Sequence, residues 1–153
     1  MNTTLDHLHA LFLRDLDLLA QEIAAYPSES DLWIVGGDIK NSGGNLCLHL
    51  TGNLQHFIGT LLGKTDYVRN REAEFADKDI PKTVLLQQIE TTKKTISATF
   101  KKLNASDLAA TYPVEVFGKP MTTEYFLIHL LAHLTYHRGQ INYHRRLLGG
   151  KQQ

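Results

Sequence analysis

The stretch His129-Leu-Leu-Ala-His133-Leu-Thr-Tyr-His137-Arg138-Gly139-Gln140 sets a histidine at every fourth position of a long apolar helical pattern. Residues four apart lie one above the other on the same helix face. Two imidazoles at that spacing can hold one metal ion between them, the geometry that an i, i+4 His pair offers zinc. An apolar stripe normally carries Leu or Ile. Imidazoles within it point to a metal site whose missing ligand comes from another helix. The bland alternative is a set of core or interface histidines satisfied by neighbouring carbonyls and carboxylates.

Working outward, apolar residues recur at three- and four-residue steps in four long segments. Leu5, Leu8, Phe12, Leu16, Leu19 and Ile23 predict a helix from Thr3 to Ala25, stopped by Pro27. The loop that follows, from Ser28 to Gly44, carries an apolar insert, Leu32-Trp33-Ile34-Val35, expected to fold back and cap the core. A second helix is predicted from Ser42 to Leu62, where Gly44, Gly52 and Gly59 suggest close packing. The long charged connection GKTDYVRNREAEFADKDIPK leads to a third helix opening at Pro81 and running to Leu103. Val114, Val116 and the Phe117-Gly118-Lys119-Pro120 turn predict a short β-hairpin or an extended excursion. Thr122 or Thr123 then caps a fourth helix that reaches Leu148 and ends at Gly149-Gly150. Four long helices around one core give an all-α fold, a four-helix bundle, with residues 1–153 as a single domain.

Composition narrows the function. Sixteen basic side chains balance sixteen acidic ones among 153 residues, so no basic face recommends nucleic acid as a partner. The cluster Arg138, His144, Arg145 and Arg146 near a helix end favours the helix dipole instead. The N-terminus lacks the basic and small-residue marks of a signal peptide, and no window is apolar enough for a membrane span. The one cysteine, Cys47, excludes an internal disulfide and fits a reducing compartment; a cytoplasmic protein is expected. Leu11, Leu18, Leu130 and Leu134 exceed what one bundle core needs, which predicts a homodimer paired through helices one and four.

Several side chains compete for the third ligand position. His49 sits mid-helix on the apolar face with Leu46, Asn53 and His56, while His144 lies two turns past His137. Cys47 is two residues from His49, about 200° around the helix, so the two cannot serve one ion, and Cys47 reads as a small buried hydrophobe. His7 and His9 fail together for the same reason. Asn53 and Gln140 lie one turn from His49 and His137, where they can orient a ligand or serve plain core hydrogen bonding. Arg138 points about 100° from His137 and is expected in an ion pair or helix contact. Gly139 permits close approach of a neighbouring helix, and Trp33, Tyr136 and Tyr143 read as packing.

The pairing of HLTGNL, from His49, with HLTYHRGQI, from His133, resembles the DinB-like superfamily of bacterial four-helix-bundle metal proteins, which are unrelated to the DNA polymerase of the same name. The resemblance covers nearly the whole chain, including the charged VRNREAEF stretch. It implies that His49, His133 and His137 are the metal ligands, and that His129, His56 and His144 are not. Three neutral imidazoles leave a divalent ion, zinc or nickel, its full charge and an open position. The resemblance further implies a metal-dependent enzyme that activates a thiol or water, as a low-molecular-weight thiol S-transferase or a hydrolase does. A non-catalytic metal- or ligand-binding, stress-associated dimer is the second expectation, and a cofactor-free scaffold with incidental histidines the third. No nucleophile–base pair, phosphate-cradling loop or nucleotide motif is present.

Overall fold

The computed structural model describes residues 3–149. Helix α1 runs Thr4–Ala24, and its N-terminus is closed by a reciprocal pair. The Thr3 hydroxyl accepts from the Asp6 N–H while the Asp6 carboxylate accepts from the Thr3 N–H, satisfying two orphan donors. Leu8, Phe12, Leu16, Leu19 and Ile23 all turn into the core. Of the apolar insert in the next loop, Leu32 and Trp33 pack inward on a 3₁₀ turn, Ser30–Trp33, whereas Ile34 and Val35 stay exposed.

Helix α2 (Gly43–Leu54) starts at the Ser42 cap and is buried along its whole length. It packs against all the other long helices, so no face of it meets water. Close approach explains its glycines: a Cβ at Gly44 would meet the Trp33 ring at 2.7 Å, and one at Gly52 would collide with the Glu74 carboxylate. The helix continues as a π-helical turn, Gln55–Thr60.

The charged connection holds a short helix that its composition hid, α3 (Arg71–Ala76), whose N-terminus is capped by Asn70. Helix α4 (Lys82–Phe100) follows Pro81. A second short helix, α5 (Ala105–Ala109), opens on an Asn104/Asp107 capping box. No strand forms among the described residues. The excursion before the last helix is extended, closed by a single antiparallel bridge, Thr111 with Thr122. Pro113 and Pro120 have no N–H to extend a ladder there.

Helix α6 (Thr123–Gly149) is capped by the Thr122 hydroxyl, which accepts from the Tyr125 N–H at 3.1 Å. Gly150 lies outside the described residues. Helices α1, α2, α4 and α6 form the bundle. Leu130 and Leu134 belong to its core, fully buried, and Leu11 and Leu18 are half-buried, so the expected apolar surplus is not at these positions. Tyr136 and Tyr143 project outward instead of packing, and a Cβ added to Gly139 would touch nothing within 4 Å. No described helix is long and apolar enough to cross a membrane.

Candidate metal centre

Helix α2 brings His49 from the buried middle of the bundle, and α6 brings His133 and His137 from successive turns. Their rings meet edge to face, with centroids 5.0 Å (His49–His133), 5.3 Å (His49–His137) and 4.5 Å (His133–His137) apart. One nitrogen of each lies within 4.8 Å of the other two.

A carboxylate that sequence reading missed supports the cluster. Glu74, on α3, accepts from His49 Nδ1 at 3.0 Å. Arg69 grips the same carboxylate with two parallel bonds, 2.7 Å from Nε and 2.9 Å from a terminal nitrogen. Arg69 also stands 3.4 Å from His49 Nδ1; with that nitrogen donating to Glu74, this is two donors held close by the anion between them. Burial pushes the Glu74 carboxyl up, but the bonds from His49 and Arg69 outweigh it and hold the group below its usual range. With its Nδ1–H bonded to this carboxylate, His49 turns Nε2 toward His133 Nε2, 3.1 Å away.

His137 is oriented from the opposite side. Its Nδ1 donates to Gln140 Oε1 at 2.6 Å, and Gln140 Nε2 donates to the Tyr136 hydroxyl at 3.1 Å. Gln140 thus takes the orienting role its spacing allowed. Asn53 does not: its Oδ1 is buried without a partner. Burial lowers the His137 pKa against the opposing effect of the Gln140 bond, and lowers His133 to about 3, reinforced by the neighbouring imidazoles. Both rings are therefore neutral, the form that ligates metal.

The donor set fits a divalent cation. His49 Nε2 and His133 Nε2 approach to 3.1 Å. Two nitrogens held about 2.0–2.1 Å from a tetrahedral ion stand roughly 3.4 Å apart, close to that separation. A cleft of about 450 Å³ opens beside His137, walled by Ile39, Lys40, Leu46, Gln140 and Tyr143. A second cleft of about 400 Å³ lies behind Glu74 and Gly52, lined by Thr51, Gln55 and Thr92.

The other candidates are engaged elsewhere. His129 is sandwiched by Phe117 and Phe126, at 4.8 and 5.7 Å between centroids. His144 bonds the Tyr26 hydroxyl at 2.7 Å and the Ile34 carbonyl at 2.9 Å. His9 bonds Ser97 and stacks on Phe100, while His56 lies in the π-helical turn against Phe57. Cys47 is buried, and burial pushes its thiol up to about 12. Arg138 reaches the buried Asp15 at 3.7 Å, the ion pair its direction suggested.

A helical bundle with three imidazoles meeting between two of its helices is the class of architecture described. It is similar to the crystal structure of a DinB-like protein from Bacillus cereus ATCC 10987, with a TM-score of 0.69 over 90% of this chain and 91% of that one. Identity between the two is 18%, so the likeness is one of fold. The chain belongs to the family described as a protein of unknown function (DUF1572), which matches residues 3–153. No curated protein matches it.

Proposed function

We propose that His49, His133 and His137 bind one divalent metal ion, zinc or nickel, and that the protein is a metal-dependent enzyme acting on a thiol or water nucleophile. The observation that carries this reading is the mutual approach of three imidazole nitrogens, with Glu74 accepting from His49 Nδ1. When bound, such an ion supplies Lewis acidity that lowers the pKa of a thiol or water at its open position. The chain's own residues do the rest. Glu74 and Gln140 fix two of the rings, and Leu46, Ile39 and Tyr143 give the cleft beside His137 an apolar wall.

In a thiol transfer the S–H proton passes to solvent and sulfur forms a bond to an electrophilic carbon. The leaving group departs with the electron pair of the bond that breaks. The enzyme reading is favoured over a sealed structural metal by the cleft that reaches His137. The protein works as a pair of identical chains, and its lone, buried Cys47 supports a reducing cytoplasmic setting.

The test is elemental analysis of protein purified without chelator, followed by a thiol-conjugation screen with and without chelator. About one zinc or nickel per chain and a chelator-sensitive conjugation rate are expected. Protein that neither retains nor takes up either ion would sink the metal reading. A loaded protein inert towards every thiol–electrophile pair and hydrolysable ester tested would leave only metal binding.

A further inference from the structure

We infer that the outer face of α6 is where a second copy of this chain docks, antiparallel, about a two-fold axis beside Tyr136. The inference rests on the reading that the chain pairs with itself, and adds which face pairs and in what register.

Opposite the core, α6 carries a stripe of large residues, Tyr125, Ile128, Tyr136, Tyr143 and Leu147, each more than half exposed. Ala132 and Gly139, also exposed, fall between them, and all seven recur at three- and four-residue steps. The stripe is therefore one continuous band along the helix. A glycine inside a helix costs about 1 kcal/mol relative to alanine. Within one chain nothing approaches Gly139 to explain it.

The order of sizes identifies the occupant. Counted outward from Tyr136, both directions read small, large, large: Ala132, Ile128, Tyr125 one way and Gly139, Tyr143, Leu147 the other. An interface between identical chains must be self-complementary, with residue i on j and j on i. An antiparallel copy lays Tyr136 between the partner's Ala132 and Gly139, and the same holds in reverse. It also brings Glu124 within a turn of the partner's Arg146, opposite charges on one flank of the band.

Two exposed loop residues extend the band on the flank that faces the metal centre. Phe117 packs on His129 near one end of the helix, and Ile39 lines the cleft near the other. Under the same axis Phe117 of one copy faces Ile39 of the other. Together these side chains expose the equivalent of about four full large residues, roughly 800 Å² at ~200 Å² each, which is what a standard interface takes from each partner.

The site gains from the pairing. Tyr136, at the axis, accepts from Gln140, which holds His137. Covering Tyr136 fixes that chain of bonds, and the cleft beside His137, walled by Tyr136, Tyr143 and Leu147, takes the partner as its outer wall.

Sedimentation equilibrium of the full chain, in chelator so that the metal reading is not involved, should give twice the chain mass at micromolar concentration. Ile128→Glu combined with Tyr143→Glu should weaken the dimer by about a hundredfold or more, as loss of buried hot-spot side chains does. Both positions are exposed in the monomer, so circular dichroism should stay unchanged, and the melting temperature should fall only by the mass-action stabilisation that the lost dimer contributed, becoming independent of protein concentration. Val68→Glu, on another exposed surface, should leave the dimer intact. With a short bismaleimide, Tyr136→Cys should cross-link to itself, whereas Ile128→Cys and Tyr143→Cys should cross-link only when mixed. A monomer overturns both the pairing and its face. A dimer indifferent to the double substitution overturns the face alone, and self-linking of Ile128→Cys overturns the antiparallel register.

Discussion

Glu74→Gln isolates the carboxylate that steadies His49. Glu74 Oε2 accepts from His49 and from Arg69, and Oε1 accepts from Arg69 Nε. A glutamine keeps the shape but has only one acceptor oxygen, so its NH₂ must face an N–H of Arg69 or of His49. A hydrogen bond to a charged group contributes about 1.5–3 kcal/mol and a neutral one about 0.5–1.5. The loss at His49 is then about 1–1.5 kcal/mol, or roughly tenfold in metal affinity, the lower end of the range for such supporting groups. Glu74→Ala, which removes the acceptor altogether, should approach a hundredfold. The assay is competition with a chromophoric chelator at fixed pH and ionic strength. Because Arg69 is left half-paired and largely buried, both variants should also melt lower in chelator, which must be measured separately. A folded Glu74→Gln protein with wild-type affinity would refute the reasoning, since His49 would then need no anchoring.

Further outcomes follow from the same geometry. His133→Ala should abolish stoichiometric metal binding while His129→Ala should retain it, by elemental analysis after desalting; the reverse would move the site one turn along α6. Gly52→Ala should cost about 1–3 kcal/mol in denaturant unfolding and weaken metal binding, because its methyl displaces the Glu74 carboxylate; unchanged values would show that α3 yields freely. Burial raises the Glu22 carboxyl, but its bonds to Arg145 and Asn142 outweigh this and leave its pKa lowered from 4.5. A depressed carboxyl contributes stability above pH 4.5 that disappears as pH falls below it. Glu22→Gln should therefore lower the melting temperature by about 2–4 °C at neutral pH and have no effect in strong acid, a difference that must vanish on acidification.

The four long helices were legible because their periodicity is strong and their ends are chemically marked. Thr3, Ser42, Pro81 and Thr122 stand at the N-termini where they were expected. What escaped lies in the connections. VRNREAEF carries four charged residues among its eight and reads as solvated; nothing in it says that Glu74 turns inward and Glu72 does not. The Asn70 cap was the available signal for α3, and the Asn104/Asp107 box for α5. On α6, three stripes of the helix are occupied by apolar or aromatic groups: one toward the core, one toward His49 and one outward. Periodicity alone does not say which is which: it allows Leu130 and Leu134 outward and the tyrosines inward, the reverse of what the structure shows. The histidines were legible for the opposite reason, since imidazoles are rare enough in an apolar helix for their spacing to carry information.

Besides the His49–Glu74 bond and the packing of Phe75 on His49, the six-residue helix α3 is clasped to α2 by Asn45, whose Nδ2 donates to the carbonyls of Glu74 and Asp77 at 3.0 and 2.9 Å. Glu74 on α3 and Arg69 just before it, the groups that steady His49, thus belong to a short connecting segment outside the four long helices. Local opening of such a unit costs less free energy than global unfolding. On the proposed metal reading, the residence time of an ion would follow the local opening of this segment more closely than the stability of the whole protein. Two relatives equally resistant to heat can hold metal for very different times if one of them loosens the asparagine clasp.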